Sequence, residues 1–210
     1  MQKYILIFIL FFISTAAFAK NKSFQVAGFI GTSLSNQSTV PAVVTIGASS
    51  YISSFKSTYE NSPSGGLEMR SIDSNSWLFK GGLKTMAYRK VTAATIEIPG
   101  FGTQSVTMLT PYSYKLTSIY TTTGYCWESF YLMVGLSYNL FDFSSPGSTT
   151  PYRTKNGAGG IFGMGYKLTE NWSVEYTGYS ALVSVESGAN YQTKDDFTFS
   201  DAVLSVNYGF

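Results

Sequence analysis

The chain has no histidine among its 210 residues. That removes the commonest general base, the Ser-His-acid arrangement and any histidine-ligated metal site. A single cysteine, Cys126, permits no internal disulfide and has no histidine to activate it. Charge is sparse at 12% of residues and close to balanced, 14 basic against 12 acidic. A nucleic-acid partner would call for a basic stripe, so none is expected. Beyond Ala19 no run approaches the ~18 apolar residues that a membrane helix needs. What the chain has in quantity is aromatic residues, 17% in all, together with 20 glycines and many serines and threonines. Few charges, many rings and no helical period point to an all-β protein with unusual surroundings.

The amino terminus carries an export signal. Lys3 supplies the positive end, Tyr4 to Ile13 is an unbroken apolar run, and Ala17-Phe18-Ala19 places small residues at a cleavage point. Met1–Ala19 is therefore expected to be removed, leaving 20–210 as one domain. Cleavage takes one lysine with it, so the mature chain is nearly neutral. No cysteine follows the cut directly, which argues against a lipid-anchored lipoprotein.

Alternation with period two then recurs along the whole mature chain. Phe24, Val26, Ile30 and Leu34 oppose Gln25, Gly31 and Ser33, and a long serine-rich stretch follows, within which Val43 to Phe55 could form a hairpin. Leu67 and Met69 alternate with Glu68 and Arg70. After the turn signal Asp73-Ser74-Asn75-Ser76, residues Trp77, Phe79, Gly81 and Leu83 alternate with Lys80, Gly82 and Lys84. A loop around Pro99 to Gly102 leads to Tyr112, Tyr114, Leu116 and Tyr120, set against Ser113, Lys115, Thr117 and Thr121. The clearest strand runs from Phe130 to Leu140. Phe162 to Leu168 and Trp172 to Tyr176 flank the tight Thr169-Glu170-Asn171. Ala202, Leu204, Val206, Tyr208 and Phe210 end the chain.

Eight strands separated alternately by long loops and short turns, behind an export signal and ending on an aromatic residue, resemble the small eight-stranded outer-membrane β-barrels of Gram-negative bacteria. These are the OmpA/OmpX-type and opacity-like surface proteins. The resemblance implies an all-β, antiparallel, transmembrane up-and-down barrel in the bacterial outer membrane. A ten-strand variant using Val43 to Phe55 stays open. It also implies that Leu204, Val206, Tyr208 and Phe210 form the terminal signal read by the barrel-assembly machinery, and that outer-membrane lipid and lipopolysaccharide surround the wall. Because hydrocarbon leaves no backbone group unpaired, Phe24 to Leu34 should pair with Ser200 to Phe210. Trp77, Trp172, Tyr208 and Phe210 would make the aromatic girdle on the turn side, and Tyr112 and Tyr114 the one on the loop side.

The same facing places Glu68, Arg70, Lys80, Lys84, Lys115, Lys167, Glu175 and Asp201 in the lumen as a charge network. An eight-stranded barrel is just wide enough for side chains to fill it, so opposite charges should pair across it, with glycines admitting the longer chains. The other reading of these residues is a gated polar path. Asp195-Asp196 is not a catalytic pair, because adjacent residues on a strand face opposite ways. The histidine-dependent patterns of outer-membrane deacylases, palmitoyltransferases, phospholipases and omptin-type proteases find no counterpart here. No enzyme activity, cofactor or metal is expected. Two functions remain: a surface barrel presenting four loops for envelope integrity, adhesion or as a surface antigen, with a host or surface ligand through the loops, and a porin-like channel for small solutes or hydrophobic ligands.

Overall fold

The computed structural model describes residues 24–46, 48–107 and 112–210. The expected signal peptide, Met1–Ala19, lies outside the described residues. Twelve strands are present: β1 (Gln25–Ile46), β2 (Ser49–Tyr59), β3 (Pro63–Ser71), β4 (Ser76–Met86), β5 (Arg89–Ile98), β6 (Gly102–Ser105), β7 (Ser113–Trp127), β8 (Phe130–Ser144), β9 (Tyr152–Lys155), β10 (Gly157–Lys167), β11 (Trp172–Ser187) and β12 (Thr193–Gly209).

Eight of them close a ring in the order β12-β11-β10-β8-β7-β4-β3-β1, with β1 returning to β12. Every pairing is antiparallel. The closing ladder runs from Ala27 opposite Gly209 to Thr39 opposite Thr198, across a bulge at Ser33/Ser35. The N-terminal and C-terminal strands therefore pair, as closure in hydrocarbon requires, and the ring of eight strands has no free edge. Short turns join β3 to β4, β7 to β8 and β10 to β11. Asn75 and Glu128 adopt positive φ there, which lets two of these turns stay tight.

Val43 to Phe55 does form a hairpin, but it adds nothing to the ring. β1 continues beyond the barrel and folds back as β2, β2 pairs with β5, and β5 pairs with β6, building a small sheet above the loop-side mouth. β9 likewise stands outside the ring, paired with the upper part of β11.

Burial is inverted relative to a water-soluble barrel. Ile30, Leu67, Val134, Leu136, Phe162, Leu204 and Val206 are exposed on the outer wall, while Glu68, Arg70, Lys80, Lys84, Glu175 and Asp201 are buried inside. A continuous apolar outer belt of this kind marks a surface that water does not face. Trp77, Trp172 and Phe210 are exposed at the turn-side rim, where Trp172 packs at a tilt on Tyr208, ring centres 4.7 Å apart.

Candidate functional site in the barrel lumen

Inward-facing side chains fill the lumen in successive layers, each set by the two-residue period of the wall. At the turn-side mouth Arg70 donates to Ser173 Oγ at 3.0 Å, to the Asn171 carbonyl at 2.8 Å and to Gln25 Oε1 at 3.4 Å. Lys167 lies at the rim and donates to the Ile72 carbonyl at 3.1 Å. These residues, with Asp73 and Glu170, line a vestibule of about 510 Å³.

Above it Leu78, Cys126, Tyr131 and Met133 form a small apolar layer. Cys126 is fully buried, its Sγ directed at the Glu128 carbonyl, and is a packing residue. Gly165 makes the layer possible: a Cβ at that position would sit 2.3 Å from the Tyr131 ring.

The next layer holds the first ionic group. Lys80 lies 3.0 Å from Glu68 and pairs with Glu175, while Tyr120 donates to Glu68 at 2.6 Å and Tyr131 donates to Glu175. Two carboxylates share one ammonium, so this layer carries an excess negative charge. Four residues along β4, about 13 Å by strand rise, the balance reverses. Asp201 accepts from Ser33 at 2.7 Å and pairs with Arg89 at 3.1 Å, with the Lys84 ammonium 4.0 Å away and 3.3 Å from the centre of the Tyr179 ring. Here two cations serve one carboxylate. A buried charge left alone costs several kcal/mol, which the partners within each layer offset.

The top layer is aromatic. Tyr114 packs on Phe199 at 4.2 Å and on Tyr59 at 4.6 Å, with Phe141 and Phe197 alongside. Tyr59 and Tyr112 are linked by their hydroxyls at 3.0 Å and reach Ser38 and Ser57.

The ring order gives these contacts their meaning. β4 lies diametrically opposite β11, and β7 opposite β12. Lys80 to Glu175 and Lys84 to Tyr179 are contacts between opposite walls, as is Tyr114 to Phe199. Side chains thus meet across the bore at three levels.

Six of the eight residues expected in the lumen are buried there: Glu68, Arg70, Lys80, Lys84, Glu175 and Asp201. Lys167 sits at the mouth. Lys115 is a correction: it is on the outer wall, opposite Asp142 across the β7–β8 ladder. The facing of the loop-side half of β7 is reversed, because Tyr114, Leu116 and Tyr120 turn inward and are buried. Tyr112 and Tyr114 therefore make no outer girdle; their rings belong to the luminal aromatic layer. Large inward residues are needed where the bore must be filled without charge. Sequence reasoning also missed Arg89, which is wholly buried and enters the lumen from the start of β5. It lies between the alternating run of β4 and the loop around Pro99, a stretch to which the sequence pattern assigned no strand and hence no face.

No protein family matches the chain by sequence profile, and no curated protein is similar to it in sequence. Solved structures do match. The outer membrane protein OprG of Pseudomonas aeruginosa is 14% identical, with 90% of this chain covering 97% of that one at a TM-score of 0.50. Neisserial surface protein A is 12% identical, with coverages of 89% and 97% and a TM-score of 0.50. The fold is that of the small eight-stranded outer-membrane β-barrels.

Proposed function

We propose that this chain is a non-catalytic barrel of the bacterial outer membrane, exported through its cleaved signal peptide, whose work is done by what it presents outside the ring. Leu204, Val206, Tyr208 and Phe210, on the outer face of the last strand, serve as the terminal signal for the assembly machinery. The observation that carries this reading is closure of the lumen by contacts between opposite walls, at Lys80–Glu175 and at Tyr114–Phe199. With the bore filled, the surfaces left for recognition are the sheet of β1, β2, β5 and β6 and the segments around β9. Such a scaffold suits envelope integrity, adhesion or surface antigenicity, with a host or surface ligand bound by the loops. The absence of histidine from the whole sequence supports a non-enzymatic role.

A channel for small solutes or hydrophobic ligands is the second reading, favoured by the 510 Å³ vestibule and the apolar top layer. Single-channel recording in a planar bilayer separates the two. Refolded mature protein, first shown to migrate as a compact heat-modifiable band, should be electrically silent. Discrete current steps would overturn the closed-barrel reading and establish the channel.

A further inference from the structure

The outer wall carries two lysines whose ammonium groups are left over. Among the described residues, Lys56 pairs with Glu97, Arg153 and Lys155 with Glu186, and Lys194 with Asp196, while Lys167 at the turn-side rim donates to the Ile72 carbonyl. Lys90 and Lys115 have no carboxylate within ion-pair distance among the described residues. Register explains where they lie. Arg89 stands opposite Tyr114 and Lys90 opposite Ser113, and since Arg89 and Tyr114 are buried in the lumen, Lys90, Ser113 and Lys115 point outward, with Tyr88, just before β5, exposed. Lys90 and Lys115 are diagonal neighbours on that face, roughly 7–8 Å apart at the backbone.

Both nearby carboxylates are engaged by other donors. Asp142, the cross-strand partner of Lys115, accepts from the Tyr88 hydroxyl, and Glu60 accepts from the Lys90 backbone N–H at 3.1 Å. The level is equally informative. Going down the outer wall from Lys115, the Thr85–Thr117 hydroxyl pair comes next, with exposed Leu140 opposite Thr117, and then exposed Leu83 and Ile119. The lysines sit just above the top of the apolar belt, on the loop side.

We propose that Lys90 and Lys115, with Tyr88 beside them, hold a phosphate of an outer-leaflet lipid headgroup against the barrel wall. Two ammonium groups at this spacing straddle one phosphate and donate to separate oxygens, and their stems lie along apolar surface at the height where headgroups begin. This site rests on the membrane reading given above.

The test uses mature protein in zwitterionic phospholipid nanodiscs doped with lipid A or with its dephosphorylated form, in EDTA so that no divalent ion bridges through Asp142 and Glu60. Lipid retained by the protein is read by native mass spectrometry. Wild type should retain lipid A over the dephosphorylated form, and Lys90→Gln/Lys115→Gln should lose roughly ten-fold or more of that affinity. Lys56→Gln/Lys155→Gln, which removes the same charge from ion-paired positions, should retain it. Equal retention by all three proteins, or equal loss by both double variants, overturns the site. Lysine-dependent binding of inorganic phosphate that lipid A does not displace would assign the site to a free anion and overturn the lipid assignment. A chain that does not insert as a compact, heat-modifiable species overturns the membrane reading itself, an outcome distinct from the others.

Discussion

The lower and upper halves of the lumen solve the same packing problem with opposite chemistry. Between the turn-side mouth and Asp201, apart from the thin apolar layer around Leu78 and Met133, the bore is held by partnered charges: Lys80 with Glu68 and Glu175, Arg89 with Asp201. Around Tyr114 and Phe199 it is filled by rings, with almost no formal charge. The polar half spans the eight paired ring strands, with Arg89 reaching in from β5 and the β1–β12 bulge at Ser33/Ser35 beside Asp201. The aromatic half lies where β1 is leaving the ring to pair with β2, and where β5 touches β7 at two positions. Charged networks need fixed geometry to repay their desolvation. Rings tolerate variation in spacing, because their packing is less directional and their area is large.

The sharpest way to break the polar half is to remove its shared cation. Lys80→Met leaves Glu68 and Glu175 buried together without an ammonium and should destabilise the barrel by about 3–5 kcal/mol, read from the urea midpoint of refolded protein. Phe199→Ala attacks the aromatic half, where loss of a ring from a packed layer should cost about 3 kcal/mol in the same assay. The two differ in current as well as stability. Phe199→Ala should remain silent in a planar bilayer because the Lys80 level still closes the bore, and conductance from it would make the aromatic layer the true gate.

Smaller changes sharpen the contrast. Tyr120→Phe removes one donor from Glu68 and should cost about 2 kcal/mol, since a hydrogen bond to a charged group is lost while the ion pair with Lys80 stays. The exposed cluster on β9 should matter least. Glu186 is held below its ordinary value of 4.5 by its bond to Arg153. A depressed carboxylate stabilises only while ionised, so the contribution is complete above 4.5 and lost as pH falls below it through the folded value. Arg153→Gln should leave the global unfolding midpoint unchanged. In hydrogen exchange, β9 amides should lose protection on acidification below that value in wild type, and near neutral pH in the variant. A shift of the global midpoint would mean that β9 is coupled to the ring.

Much of this was legible in the sequence. The strands that form the ring are the ones the alternation marks, from Val26 and Ile30 on β1 to Leu204 and Val206 on β12. Six luminal charges follow from the same period. β7 shows where the signal fails. Tyr112, Tyr114, Leu116 and Tyr120 alternate against Ser113, Lys115 and Thr117 as clearly as any strand, yet the apolar set faces inward. Alternation reports that two faces differ; which face is inside depends on the chemistry of the interior at that height. Where the lumen is aromatic, the hydropathy contrast points the wrong way. The same limit hid Arg89, whose inward course is set by its opposition to Tyr114 across β5 and β7.

By itself, then, the sequence determined the fold class and six of the charges carried into the barrel, because a period of two along a strand is a local property of the backbone. Only the tertiary structure decided that Lys80 meets Glu175 and Tyr114 meets Phe199, that Val43 to Phe55 lies outside the ring, and that Lys115 looks outward. Those outcomes depend on which strands stand opposite one another once the ring closes, and that is fixed by the register of the β1–β12 ladder and the stagger of the whole sheet.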